Sequence, residues 1–266
     1  MTKLIVFDLD NTLAKPGKGI EPIDILKLKK LEEKGIKIAI ASGKTVDYLT
    51  GLLRQVELKD PILLGENGGK IQVGMEWPPQ TQYTLPYSQT AREVLAYIKK
   101  QIDAKLPGIW YQPNLIAVSP FPSSEEEFDV IADILKENED CLQDIIVFRH
   151  ADCYDLVPKG IDKKAGVKFL AEKMGLVPEE IIAVGDGEND YPMFEYAGMA
   201  LGVNVKDETK VDKNFGGITE VLDVLNSICE ENEEKQPGKP ETEDWATLAR
   251  EDMEEFIELQ GVYLRQ

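Results

Sequence analysis

The sequence predicts an α/β fold: a Rossmann-like, doubly wound parallel sheet core with an inserted α+β cap domain, an antiparallel sheet with helices on one face. Three observations predict it. Short apolar runs that read as strands buried on both faces alternate with helical patterns at both ends of the chain. In the middle, the alternation gives way to two successive helix-strand-strand units. At 266 residues and 42% hydrophobic content, the chain can bury a large core and a smaller insert.

Taken in order, Leu4 to Phe7 is a continuous apolar run, followed by a loop with Pro16, Gly17 and Gly19. A helix is expected from about Pro22 to Lys34, with proline in its first turn, Ile25, Leu28 and Leu31 on one face, and Gly35 as the stop. Ile36 to Ala41 reads as the next strand, Thr45 to Gln55 as a helix, and Ile62 to Leu64 as a third strand. The pattern resumes with a helix over Lys164 to Met174, a strand over Ile181 to Val184 and a helix over Tyr191 to Tyr196. A strand over Met199 to Val203 and a helix over Thr219 to Ile228 complete it.

Between these stretches the units are a helix from Ser88 to Ala104, strands at Ile109 to Tyr111 and Leu115 to Val118, a helix from Ser124, and strands at Ile145 to Arg149 and Tyr154 to Val157. Ser123 with Glu126 three residues later offers a capping box for the second helix. The expected division is a discontinuous core over residues 1–82 and 158–228, a cap over 83–157, and a tail over 229–266. The tail begins as an acidic linker with Pro237, Gly238 and Pro240, then spaces Trp245, Leu248, Met253, Phe256 and Leu259 as an amphipathic helix.

Composition removes several function classes. The net charge of −19 argues against nucleic acid, which needs clustered Lys and Arg. That charge is uneven, because residues 230–266 hold 12 acids against 4 bases. A small anionic substrate stays compatible, since a metal ion and a local lysine outweigh the global field at short range. Cys141, Cys153 and Cys229 form no C-x-x-C pair, which indicates neither a disulfide framework nor a thiolate zinc site. They read as reduced thiols of a cytoplasmic protein. No segment reads as a signal peptide or membrane span. The one histidine, His150, falls in an expected strand and reads as structural, so a histidine-based triad is not available.

Chemistry concentrates at strand ends. Asp8 and Asp10 stand at the end of the first strand, where open α/β sheets place their ligand sites, and period-two geometry aims both side chains the same way. In the string FDLDNTL one carboxylate can attack phosphorus and bind a cation, while the second can pass a proton to the leaving oxygen and take one from water. In GDGEND, Asp186 and Asp190 can converge on one cation, and hard oxygen ligands suit Mg²⁺. Ser42, Gly43 and Lys44 follow the second strand, where a hydroxyl and a glycine amide can hold phosphate oxygens. A cation is still required beside the transferring phosphoryl group, and Lys163 or Lys164 is the candidate.

FDLDNTL, IASGK, a lysine before a helix and IAVGDGENDYPMFEYAG, in that order, resemble the haloacid dehalogenase superfamily of phosphatases. The insert after the third strand, with ENGG (Glu66 to Gly69), is similar to its Cof-type branch, subclass IIB, with a C2B cap. The resemblance covers about residues 3–228. It implies that Asp8 is nucleophile and metal ligand, and that Asp10 is general acid/base and a ligand through its carbonyl. Thr12, Ser42, Gly43 and Lys44 then contact phosphate or substrate, Asp186 binds the metal, Asp190 lies in the same metal site, and Asn189 sits near phosphate. The family spacing K-G-x-A-L-x-x-L-x-x-x-x-G puts the functional lysine twelve residues before Gly175, at Lys163, with Lys164 as an exposed neighbour. Two departures are Asn11 in place of the usual glycine and Lys44 in place of a frequent arginine. Asparagine tolerates unusual backbone angles, whereas Lys lacks arginine's planar fork.

The implied activity is Mg²⁺-dependent hydrolysis of a small phosphate monoester, a sugar phosphate or a phosphoglycolate-like compound, through an aspartyl-phosphate on Asp8. The alternatives are a phosphomannomutase-like phosphotransferase and, from another class, a non-catalytic sugar-phosphate sensor. The expected partner is a small phosphorylated metabolite, with a monomer or weak homo-oligomer as the assembly. Tyr83, Tyr87, Trp110, Tyr111 and Arg149 are possible lid residues, aromatics at such places being more often core.

Overall fold

The first strand, β1 (Leu4–Asp8), is buried at every position, and its side chains divide between two apolar clusters. Ile5 and Phe7 enter one, Leu4 and Val6 the other, so both faces of this strand are covered and the sheet must be wound with helices on both sides. The computed structural model describes residues 1–234, with side chains to residue 230. The expected C-terminal amphipathic helix therefore lies outside the described residues.

After β1 come α1 (Pro22–Glu33), β2 (Lys37–Ala41), α2 (Val46–Leu53), β3 (Ile62–Gly65), β4 (Lys70–Val73) and β5 (Thr81–Thr84). The insert contributes α3 (Gln89–Lys105), β6 (Trp110–Tyr111), β7 (Pro120–Phe121), α4 (Glu125–Glu137), β8 (Ile145–Arg149) and β9 (Tyr154–Pro158). The chain returns through α5 (Lys163–Lys173), β10 (Ile181–Gly185), α6 (Tyr191–Tyr196), β11 (Met199–Val203), β12 (Lys213–Phe215) and α7 (Ile218–Glu234). Helix starts follow local chemistry: the Thr45 hydroxyl accepts from Tyr48 N at 3.3 Å, and Asp162 accepts from Ala165 N at 2.7 Å.

The large sheet has the order β12-β11-β10-β1-β2-β3-β4-β5. It is parallel from β12 to β3 and antiparallel through β3-β4-β5. Chain order runs outward in both directions from β1, which makes the C-terminal ends of β1, β2 and β10 the crevice of a topological switch point. Helices α1, α2 and α7 supply one apolar cluster, α5 and α6 the other. Each fully buried Leu, Ile or Phe in them contributes about 1.5–3 kcal/mol relative to exposure.

The insert has its own apolar cluster, built from Leu95, Ile98 and Ile102 of α3, Phe128, Ile131 and Ile134 of α4, and Tyr154 and Leu156 of β9. Its strands form two antiparallel pairs, β6-β7 and β8-β9, joined where Val118 and Leu156 exchange backbone hydrogen bonds of 3.0 Å.

Several local expectations change. Tyr83, the expected start of the cap, lies inside β5 of the large sheet. The second insert strand pairs at Pro120–Phe121 instead of Leu115–Val118. The α4 cap is one residue later than expected: Ser124 accepts from Glu127 N, while Glu127 accepts from Ser123 N and Oγ. Helix α7 continues to Glu234, into the segment expected to be linker.

Candidate active site

Each turn at the crevice is built by its own local constraints. After β1 the chain reverses through Asn11, whose φ of +64° is the left-handed conformation that asparagine tolerates. After β10, Asp190 is drawn back under the turn, and its Oδ2 accepts from the amides of Asp186 (2.9 Å) and Gly187 (3.1 Å). Position 185 must be glycine for this, because a Cβ there would overlap the Asp190 carboxylate. The turn joining β3 to β4 packs on the start of α5, so closely that a Cβ on Gly166 would strike the Gly68 backbone and one on Gly68 the Asp162 carbonyl. That contact fixes the start of the helix that begins with Lys163.

These turns converge on a buried charge cluster. Lys163 Nζ lies 2.5 Å from Asp8 Oδ1 and 2.5 Å from Asp190 Oδ1, with Lys163 and both carboxylates almost wholly shielded from solvent. Oxygens of Asp8, Asp186 and Asp190 lie within 4.8 Å of one another. Burial pushes the Asp8 carboxyl up to about 8, against the pull of Lys163 and with the push of Asp190. Asp186 is raised for the same first reason, burial, and then by Asp190. Burial works to lower Lys163, but Asp190 and Asp8 more than offset it, so the ammonium stays charged.

One ammonium among three carboxylates leaves an excess of negative charge, and Asp8 Oδ2 is buried with no hydrogen-bond partner. Such an atom is costly unless something pairs with it. An all-oxygen donor set around it fits a hard divalent cation. Thr12 donates to Asp186 Oδ1 at 3.3 Å. This hydroxyl, expected to contact phosphate, stands at the edge of the carboxylate cluster.

The remaining expected residues line a cavity of about 590 Å³ together with Asp8 and Asp186: Asp10, Ser42, Gly43, Lys44, Lys163 and Asn189. Asp10 lies outside the carboxylate cluster, with its Oδ2 3.8 Å from Lys44 Nζ. Ser42 is buried and its Oγ accepts from Lys44 N at 3.1 Å. Lys164 is an exposed neighbour paired with Glu195. Asp190 is fully buried, and both of its oxygens already accept hydrogen bonds, so it holds Lys163 and the turn in place.

The insert meets the cavity through contacts that the sequence did not reveal. The Glu66 carboxylate, buried in the turn after β3, accepts the amides of Leu115 (3.0 Å) and Ile116 (2.7 Å). Gln112 Nε2 donates to Gly43 O at 2.8 Å. Phe121 and Phe148 are the lining aromatics. Of the possible lid residues, Tyr83 packs edge-on to Phe169, Tyr111 donates to Asp103, Arg149 pairs with Glu125, and Trp110 packs against Phe121 away from the cavity. His150 lies one residue beyond the end of β8, on the cavity wall, instead of inside the expected strand. Its bond to Asp155 raises its pKa first of all, against burial. The sequence marked Glu66 only as the first residue of the ENGG motif that carries the family resemblance, without a contact or a role.

Residues 1–221 match the family model for sucrose-6F-phosphate phosphohydrolase. The chain is 27% identical over 233 residues to a phosphoglycolate phosphatase of Methanopyrus kandleri, covering 85% of this chain and 93% of that one. It is 29% identical over 217 residues to another from Thermoplasma volcanium, with 81% and 91% covered. Among solved structures, a haloacid dehalogenase-like hydrolase from Bacteroides thetaiotaomicron superposes with a TM-score of 0.68 at 22% identity, covering 85% of this chain and 100% of that chain. A haloacid dehalogenase subclass IIB sugar phosphatase superposes at 0.61 and 21%, with 84% and 99% covered. At such identities the superpositions speak for the fold. With the family model spanning core and insert alike, the chain belongs to the sucrose-6F-phosphate phosphohydrolase family and, through it, to the haloacid dehalogenase superfamily of phosphatases.

Proposed function

We propose that this phosphatase is Mg²⁺-dependent and hydrolyses a small phosphate monoester through an aspartyl-phosphate on Asp8. The observation that carries the proposal is the state of that carboxylate: Lys163 holds Oδ1 at 2.5 Å, while Oδ2 is buried and unpaired on a residue of the cavity wall. An oxygen so oriented is preorganised for attack on phosphorus.

Asp8 Oδ2 forms the new P–O bond as the bond to the leaving oxygen breaks, and Asp10, protonated for this step, gives its proton to that oxygen. Asp10 then takes a proton from water as the water oxygen attacks phosphorus, which frees Asp8 and inorganic phosphate. Ser42 and the Gly43 amide hold phosphate oxygens, and Lys163 supplies fixed positive charge beside them. Mg²⁺ would be held by Asp8, Asp186 and the Asp10 carbonyl, where it supplies charge neutralisation for the phosphoryl group. Residues between β5 and α5 act as the cap that excludes bulk water.

The family name and the relatives' names support a sugar phosphate and phosphoglycolate respectively, and their hydrolase character supports water as acceptor over a sugar hydroxyl. The wall chemistry favours the sugar phosphate. Asp152, Asp155 and Glu188 line the cavity, Lys44 Nζ stands 3.8 Å from Asp10, and the His150 imidazole is held by Asp155. Hydroxyls of a polyol can donate to those carboxylates, whereas the carboxylate of glycolate meets like charge. A panel of phosphomonoesters with millimolar Mg²⁺ tests both parts. No phosphate release from any member would overturn the hydrolase chemistry, and a higher kcat/KM for phosphoglycolate than for every sugar phosphate would overturn the substrate class.

A further inference from the structure

The β8-β9 hairpin gathers three side chains of mixed metal-binding chemistry on the wall of the same cavity, as a set separate from Asp8, Asp186 and Asp190. Its register pairs Arg149 with Tyr154, and at the next position toward the turn His150 N donates to Cys153 O at 2.8 Å. His150 and Cys153 thus stand opposite each other and share a face of the hairpin. Cys153, just before β9, and Asp155 within it are two apart in extended chain and share that face as well. All three line the cavity, and their ligand atoms lie within 4.8 Å of one another.

The spacing suits a tetrahedral ion. His150 Nε2 is 3.3 Å from Asp155 Oδ2, and Zn–N and Zn–O bonds of about 2.0–2.1 Å put two tetrahedral ligands about 3.3 Å apart. Ser119 Oγ donates to Asp155 Oδ1 at 2.5 Å, which anchors the carboxylate from the opposite side and leaves Oδ2 toward the imidazole. Outer partners of this kind orient metal ligands. The side chains come from a hairpin cross-linked by backbone hydrogen bonds, so little ordering is needed on binding.

We propose that His150, Cys153 and Asp155 form a second cation site, which takes a thiophilic divalent ion such as Zn²⁺ and leaves its fourth position open to the cavity. The nitrogen, sulfur and oxygen set discriminates against Mg²⁺, which the all-oxygen site at Asp8 and Asp186 accepts. Binding replaces the His150–Asp155 hydrogen bond and displaces the thiol proton. Asp155 Oδ2 lies 3.8 Å from where a Cβ on Gly43 would be, so an ion held there stands over the Ser42-Gly43 turn. The absence of a C-x-x-C pair hides this site from sequence reading, because its thiol partners an imidazole across a turn.

Co²⁺ and Zn²⁺ are the probes, added to the full chain in saturating Mg²⁺. One equivalent of Co²⁺ should give a thiolate-to-cobalt charge-transfer band with tetrahedral d–d absorption, and Zn²⁺ should displace it. Cys153→Ser should abolish the band and weaken Zn²⁺ binding by about 10²-fold or more, beyond the loss that outer partners cause. His150→Asn should weaken binding similarly, while Cys141→Ser, at an exposed thiol elsewhere, and Asp186→Ala should retain the band. No band in the unmodified protein, or a band that survives Cys153→Ser, overturns the proposal, as does Zn²⁺ affinity that neither Cys153→Ser nor His150→Asn changes.

Discussion

Lys163 and Asp190 share a hydrogen bond of 2.5 Å in a place where neither side chain is more than 1% exposed. The bond joins the first residue of α5 to the turn after β10, and the same ammonium reaches Asp8 at the end of β1. Lys163 is therefore a structural cross-link and, in the proposed mechanism, the fixed charge beside the nucleophile Asp8. Lys163→Ala should cut turnover by about 10²-fold or more. It should also lower stability by about 3–5 kcal/mol, because it leaves two buried carboxylates without a cation. Lys164→Ala removes only an exposed pair with Glu195, and both quantities should stay near those of the unmodified protein. Steady-state kinetics with thermal unfolding checks this; a normal rate in Lys163→Ala beside a dead Lys164→Ala would reverse the assignment.

Asp8 carries a pH dependence whose sign follows from burial. Its carboxyl moves from an ordinary 3.8 to about 8 in the folded chain, so between those values the folded state binds a proton that the unfolded state has released. Stability from this group is then complete below the lower value and is lost as pH rises toward the higher one. In Mg²⁺-free buffer, unfolding curves should show that loss, and Asp8→Asn should flatten it while abolishing turnover. An equally steep profile in Asp8→Asn would assign the proton uptake to another group.

The strand ends were legible because apolar runs stop where acids or small hydroxyls begin: Val6-Phe7 before Asp8, Ile40-Ala41 before Ser42, Val184 before Asp186. The residues alone left Lys163 and Lys164 open; the choice was legible only through the family spacing, counted back from Gly175, which stands at φ +61° just past the end of α5. β4 and β5 were not, since KIQV and TQYT are short and half polar and gain their place only by pairing with β3. The cap contacts were less legible still. Glu66 and Ile116 are fifty residues apart, and what they form is a carboxylate-to-amide bond, which side-chain pattern cannot reveal. Leu115 looks like a strand residue by composition, yet its amide faces Glu66 instead of a neighbouring strand.

The unpaired Oδ2 of Asp8 predicts a cation-dependent rise in stability. An ion that binds the folded chain alone stabilises it by about 2.7 kcal/mol at a hundred times its Kd. Millimolar Mg²⁺ should therefore raise the unfolding temperature of the full chain. Asp186→Ala should lose most of that rise, since it removes one of the clustered carboxylates. A rise of the same size in Asp186→Ala would place the ion elsewhere.

Glu66 is a positioning residue between core and insert. Its carboxylate is 2% exposed and accepts from Leu115 N and Ile116 N, directly after the Gln112 that donates to Gly43 O. Charged acceptors of this kind contribute about 1.5–3 kcal/mol each, and the acceptor touches no reacting atom. Loss of the acceptor should thus loosen the segment 112–116 over the cavity before it harms the carboxylate cluster. Glu66→Gln keeps one acceptor oxygen but replaces the other by an amide that faces two N–H groups. The expected result is faster amide exchange at Leu115 and Ile116 with a raised KM and a smaller change in kcat, and Mg²⁺-induced stabilisation intact. If exchange at those two amides is unchanged, the latch is not there; if the Mg²⁺ response disappears with it, Glu66 supports the catalytic cluster instead of the cap.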